Sequence, residues 1–370
     1  MDVPFLSLRD VNARYADELK AAASRVIDSG WYVMGEELAA FEREFAAYCG
    51  VAHAVGVGNG LDALALILRG YKELGALRDG DEVIVPANTF IATLLAITAN
   101  QLVPVLVEPD AATFNLDPQR VVAAIGPRTR AIMPVHLYGQ LADMAALSDI
   151  ASQHQLLLIE DAAQAHGASS DGRRAGAFGH AAGFSFFPAK NLGALGDGGA
   201  IVTDNDDLAA RVKALRNYGS EVKYQHLYQG ANSRLDEIQA AMLRVKLAYL
   251  EEEVAIRRHV ANRYLAAIRH PDIVLPKVDS SERHAWHLFV VRCAQRDALR
   301  RHLESHGVHS QVHYPVPPHR QAAYPSLHAL SLPITEQLHD EVLSLPIGPT
   351  MNDEAIERVI AACNTFERTP

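Results

Sequence analysis

The sequence predicts an α/β protein with a seven-stranded, mostly parallel sheet and a smaller α+β domain after it. Three observations point there. Short apolar runs alternate with stretches at helical spacing through the first two thirds of the chain, the rhythm of a parallel sheet covered by helices on both faces. The runs at 184–187 and 200–203 are joined by a loop without a helix, so these two strands, if neighbours, run antiparallel. Near residue 250 the alternation stops and the texture changes, which divides the chain into a large domain, 1–249, and a small one, 250–370.

In order, helical spacing over 12–28 and 36–48 flanks an aromatic, glycine-bracketed loop, Ser29 to Gly35, that holds Tyr32. A short buried strand from His53, the turn Asn59-Gly60 and a helix from Leu61 to Leu74 follow. A strand, a glycine turn and a helix start suit a phosphate, because first-turn amides and the helix dipole point at it. The glycines here run G-x-G-x-G, and no acidic residue closes the next strand, so a dinucleotide fingerprint is not met.

Strands at 82–86, 103–107, 131–136 and 156–159 then alternate with helices at 90–100, 118–125 and 143–154. After the antiparallel pair come a helix at 206–217 and a polar, tyrosine-rich loop, Tyr218 to Gly230, that includes Tyr224. Asn232 opens a long helix to about residue 253, with Ser233 and Asp236 spaced as a capping box. Beyond it the pattern predicts helices at 257–268, 297–306 and 353–366, strands at 286–292 and 308–312, and a proline-rich turn at 315–318.

A formal charge of -10 argues against nucleic acid or an anionic membrane as the main partner. Cys49, Cys293 and Cys363 form no CxxC pair, so neither a disulfide framework nor a zinc knuckle is indicated. His302 and His306 are spaced i, i+4, but HLESH is not HExxH and no acidic third ligand accompanies it; no metal is expected. With neither a signal peptide nor 18 uninterrupted apolar residues, the expected location is the cytoplasm.

Chemistry concentrates at a few positions. The strand at 156–159 runs into Glu160-Asp161, at the carboxyl end where α/β folds place ligand groups. Asp161 reads either as an inward carboxylate needing a cationic partner or as a helix N-cap. Lys190 follows Pro188 in a loop with Gly193, Gly196, Gly198 and Gly199, which reads either as a ligand-wrapping loop or as a glycine-rich hairpin with a solvated lysine. With Ser185 in the preceding strand and the turn at Gly60, these are the parts pyridoxal phosphate needs: a phosphate cradle, an anion for the pyridinium nitrogen and an amine for the Schiff base. Phe90 either stacks on such a ring or belongs to the core.

The runs GNGLDAL (58–64), PANTF (86–90), EDAAQAHGA (160–168), FSFFPAKNLGALGDGGA (184–200), LRNYGS (215–220) and NSRLDEIQAA (232–241) carry a resemblance. They are similar to the nucleotide-sugar aminotransferases of the DegT/DnrJ/EryC1/StrS family, and HLFVVR (287–292) and HYPVPPH (313–319) extend the likeness over nearly the whole chain. The resemblance implies the fold type I of pyridoxal phosphate enzymes and a homodimer with shared active sites. It implies Lys190 as the Schiff-base lysine, Asp161 on the pyridine nitrogen and Gln164 near the ring hydroxyl. Ser185 and the amides of Gly60 and Leu61 would hold the phosphate, and Asn232 would reach the phosphate in the other subunit.

A dehydratase branch of the family has histidine where Lys190 stands, so the lysine favours transamination. KNLGALGDGG resembles the branch acting on 3-keto sugars, and HLYGQ (136–140) agrees with enzymes that make dTDP-linked 3-amino-3,6-dideoxyhexoses. L-Glutamate is the implied amino donor. Tyr32, Tyr218, Tyr224, His313 and Tyr314 are candidate contacts for the nucleotide sugar, the alternative being packing or solvated loops. Other readings are a C4-specific aminotransferase, a sensor that binds cofactor and nucleotide sugar without turnover, and a nucleotide-dependent sugar dehydrogenase, which would leave Lys190 unexplained.

Overall fold

The computed structural model describes residues 2–367. The chain opens with α1 (Leu8–Ala13), α2 (Ala16–Ser29) and α3 (Glu36–Cys49). Helical spacing over 12–28 predicts one uninterrupted helix there, but the chain breaks at Tyr15. The buried Tyr15 ring stacks on Tyr249 at 4.5 Å and its hydroxyl donates to Glu253 at 2.6 Å, a long-range contact that outweighs local helix continuity.

The alternating part follows as β1 (His53–Val57), α4 (Gly60–Glu73), β2 (Glu82–Pro86), α5 (Ile91–Ala99), β3 (Val103–Val107) and α6 (Pro118–Ala124). It continues with β4 (Thr129–Ile132), α7 (Met144–His154) and β5 (Leu157–Asp161), then the short β6 (Ser169–Ser170) and β7 (Arg173–Arg174). Next come β8 (Ala181–Ser185), β9 (Gly199–Thr203), α8 (Asp206–Leu215), a small hairpin of β10 (Ser220–Val222) and β11 (Gln225–His226), and α9 (Glu237–Leu247).

Seven of these strands form one sheet in the order β1-β9-β8-β5-β4-β2-β3. Only β9 runs against the rest, pairing antiparallel with both β1 and β8. The strands read as continuous apolar runs because both faces are buried. Val83 and Val85 enter a core with α4 and α5, whereas Ile84 between them enters the core with α6 and α7. Phe41, Phe45, Phe184 and Leu243 build a further core under α3 and α9.

The remainder comprises α10 (Leu250–Ala267), β12 (Phe289–Arg292), α11 (Arg296–Ser305), α12 (Pro333–Glu341), β13 (Val342–Leu345) and α13 (Asp353–Asn364). The helix predicted from Asn232 to residue 253 differs in two ways. It starts at Glu237 and breaks at Ala248 and Tyr249 before α10 begins. Ser233 makes no capping box; its hydroxyl donates to Asp62 at 2.6 Å and accepts the Gly58 amide at 3.0 Å. The strand predicted at 308–312 is replaced by two isolated bridges, Val3 to Val308 and Gln311 to Ser344. The partner of β12 is instead β13, antiparallel, which the periodicity does not single out.

Val3 thereby joins an apolar core otherwise made of residues beyond 259, among them Tyr264, Phe289 and Val359. Among the described residues no helix is long and apolar enough to cross a membrane.

Candidate active site

The carboxyl ends of β5 and β8, the amino-terminal turns of α4 and α5 and the start of the chain enclose a cavity of about 620 Å³. That volume is ordinary for a cofactor or small-molecule site. Lys190, Asp161, Gln164, Ser185, Gly60 and Leu61 all line it, as do Phe90, His313 and Tyr314.

One end of the cavity is a helix amino terminus. Asn59 caps α4, its side chain accepting the Asp62 amide at 2.8 Å, and the first-turn amides of Gly60 and Leu61 have no preceding carbonyl to bond. Backbones meet closely here. A Cβ on Gly60 would lie 2.6 Å from that of Ser185, and one on Gly199 would lie 2.4 Å from the Asn59 carbonyl oxygen. Glycine at both positions lets β8 and β9 pack directly on the turn. The result is a cup of two open amides and the Ser185 hydroxyl, facing the positive end of a helix.

Asp161 closes β5 and is buried. No helix follows it, which removes the N-cap alternative. Its Oδ2 accepts Thr93 Oγ1 at 2.8 Å and its Oδ1 accepts the Ala163 amide at 3.2 Å. Burial pushes the carboxyl group up, while Thr93, the Ala163 amide and the charge of Lys190 act the other way. Glu160, its neighbour, faces away from the cavity and accepts the amides of Gly176, Phe178 and Gly179 at 2.7–2.8 Å. It also pairs with His136 Nε2 at 2.9 Å, and His136 Nδ1 accepts the Ala142 amide, so Nε2 carries the proton. Glu160 is thus fully used in closing a loop.

Lys190 is half-buried, and desolvation lowers its ammonium from the ordinary 10.5 to about 8, with Asp161 opposing the shift. Its loop is held at several points. Asn191 Nδ2 donates to the Ala285 carbonyl at 2.8 Å, and the buried Lys246 ammonium donates to the Gly193 carbonyl at 2.6 Å. The histidines around the lysine stay neutral: burial and the Lys190 charge bring His166 to about 3 and His313 to about 4, and hold His287 well below its usual range.

Gln164 has a fixed orientation, its Oε1 accepting the Tyr138 amide at 2.6 Å and its Nε2 donating to the Tyr314 hydroxyl at 3.0 Å. The Tyr314 ring lies 4.9 Å from that of Phe90, and His339 Nδ1 donates to the Tyr314 carbonyl at 2.7 Å. These residues fit pyridoxal phosphate. A doubly anionic group suits the cup, a carboxylate held by donors suits a cationic ring nitrogen, and a partly neutral amine lines the same cavity.

Four predicted site residues lie elsewhere. Tyr32, Tyr218 and Tyr224 are 56%, 48% and 83% exposed. Tyr32 borders a separate shallow groove with Val26, Ile27 and Ile238. Asn232 is exposed beside Ser233, and its backbone pairs with Asn217. Conversely, the cavity also involves residues that the sequence pattern does not single out: Thr93 behind Asp161, His287, and Phe5, Leu6 and Leu8, which form part of its wall. The one signal the sequence offers for Thr93 is its spacing of four from Thr89 across the start of α5.

The family model for the DegT/DnrJ/EryC1/StrS aminotransferase family matches residues 14–364. The dTDP-3-amino-3,6-dideoxy-alpha-D-galactopyranose transaminase of Aneurinibacillus thermoaerophilus is 53% identical over 364 residues, covering 98% of this chain and 99% of that protein. The crystal structure of Streptomyces venezuelae DesV in complex with a ketimine intermediate superposes with a TM-score of 0.96 at 50% identity, covering 100% of both chains. NtdA from Bacillus subtilis, with bound cofactor PMP, gives a TM-score of 0.89 at 33% identity over 98% of this chain and 84% of its own.

Proposed function

The chain belongs to the DegT/DnrJ/EryC1/StrS aminotransferase family, and from that premise we propose that it aminates C3 of a dTDP-linked 3-keto-6-deoxyhexose, using pyridoxal phosphate and L-glutamate. The observation that carries the reading is the placement of Lys190 and Asp161 in one cavity with the open amino terminus of α4. The substrate follows from the 53% identity to a dTDP-3-amino-3,6-dideoxygalactose transaminase over almost the full length of both chains.

When bound, the cofactor supplies an electron sink beside the substrate carbon and carries the amino group between the two substrates. The chain's own residues do the rest. Gly60, Leu61 and Ser185 would hold the phosphate, Asp161 would hold the ring nitrogen in its charged form, Gln164 would meet the ring hydroxyl and Phe90 would cover one ring face. Lys190 would tether the cofactor through Nζ and, as a free amine, would take up at Nζ the proton lost from the donor's α-carbon and release it again on the same face as the amino group is transferred. Desolvation suits it to that task, since an amine near 8 both accepts and releases protons at neutral pH. One lysine serves both halves, so donor and acceptor alternate.

His313 and Tyr314 line the cavity for the nucleotide sugar. Tyr32, Tyr218, Tyr224 and Asn232 are proposed to enter the cavity of a second copy, making a cytoplasmic homodimer with shared sites. Their exposure in one chain, beside the exposed apolar Ile27, Trp31 and Met34, supports this.

The test follows the visible spectrum of the cofactor-loaded protein. L-Glutamate should bleach the yellow form, a dTDP-3-keto-6-deoxyhexose should restore it, and NMR of the product should place nitrogen at C3. Nitrogen at C4 would reassign the regiochemistry, and failure to bleach would refute transamination by glutamate.

A further inference from the structure

Thr93 is fully buried in the first turn of α5, and its hydroxyl donates to Asp161 Oδ2 at 2.8 Å. A hydroxyl has a single proton to give. Because that proton goes to a carboxylate, the 2.8 Å contact between Thr93 Oγ1 and Thr89 Oγ1 must run the other way, with Thr89 as donor. Thr89 is itself 1% exposed and borders the cavity. Two hydroxyls therefore point in series at one oxygen of Asp161, from a helix start whose dipole has the same sign of effect.

We propose that Thr93, oriented by Thr89, is a positioning residue that fixes the Asp161 carboxylate for the ring nitrogen of the cofactor. The inference rests on the cofactor reading above. A carboxylate in a largely apolar cavity is stable in its charged form only with donors around it, and protonation would cancel its attraction for a cationic ring nitrogen. Among the described residues the Ala163 amide is the other donor to the Asp161 side chain, at the longer distance of 3.2 Å. Thr93 is the shorter contact and lies on a different element, so it sets where Oδ2 stands relative to the cavity.

The test compares two ligands on protein freed of cofactor: pyridoxal phosphate, and its 1-deaza analogue, in which the ring nitrogen is replaced by CH. Thr93→Val keeps the shape and removes the donor. Its Kd for pyridoxal phosphate should rise about tenfold, the usual scale for losing a hydrogen bond to a charged group. Its Kd for the deaza analogue should stay within about twofold of wild type, since the interaction that Thr93 supports is then absent. Thr93→Ser should restore the affinity for pyridoxal phosphate. Thr89→Val, one step further out, should weaken binding in the same ligand-selective way by about threefold, and it decides the matter if Thr93→Val does not fold. Equal losses for both ligands, unchanged binding of pyridoxal phosphate, or failure of serine to rescue would overturn the proposal. A wild-type protein that takes up neither ligand would overturn the cofactor reading itself, and this inference with it.

Discussion

Lys190 stands where two opposing influences meet: desolvation lowers its ammonium and the nearby Asp161 carboxylate raises it, leaving the group at about 8. At pH 7 only about one lysine in ten is then the neutral, nucleophilic amine. Uptake of pyridoxal phosphate by cofactor-free protein should accordingly quicken about tenfold from pH 7 to 9 and level off, the sign expected when the neutral form reacts. Stopped-flow absorbance reads this directly, and a rate flat across that range would contradict the placement of the lysine. Lys190→Ala should still bind pyridoxal phosphate through the cup and Asp161, but form no covalent link and show no bleaching by glutamate. The neutral histidines nearby, His166, His287 and His313, add no positive charge to repel an incoming α-ammonium group.

Among the elements, the amino terminus of α3 is secured by a side chain about 200 residues away. Glu237, at the start of α9, accepts the amides of Gly35, Glu37 and Leu38 at 2.7–3.0 Å. Glu237→Ala leaves those donors without an acceptor and should cost about 2–3 kcal/mol, measured by urea unfolding. Gly199→Ala tests a different joint. Its Cβ would press on the Asn59 carbonyl, so stability should fall by about 1–3 kcal/mol and affinity for pyridoxal phosphate should fall with it. Unaltered affinity would mean that the cup does not depend on β9.

The strands of the main sheet were legible because each is a short apolar run buried on both faces, and Asp161 and Lys190 because they follow such runs. What was hidden depends on distant partners. Ser233 looks like a local cap, yet it bonds Asp62 and Gly58. The breaks at Tyr15 and Ala248–Tyr249 contain neither glycine nor proline, and the Tyr15–Tyr249 stack that accompanies them joins distant parts of the chain. Residues 308–312 alternate as a strand should, but their pairing is spent on single bridges. Thr93 acts across 68 positions of sequence, beyond the reach of any periodicity.

At the scale of the molecule, the proposed second copy has a direct test. Lys190→Ala and Asn232→Ala should each be inactive as homodimers. Mixed in equal amounts and allowed to exchange, they should regain about a quarter of wild-type activity, because half the dimers are mixed and each of those holds one intact site. No recovery despite exchange would mean that Asn232 serves its own subunit. The start of the chain carries a further consequence. Val3 pairs with Val308, and Phe5, Leu6 and Leu8 form part of the cavity wall. During synthesis that part of the wall is made about 300 residues before the residue that anchors it. At ribosomal speeds the delay is about 15–60 s, so the pocket of a nascent chain stays open and unfinished over that interval, and stable capture of a cofactor waits until Val308 has been made.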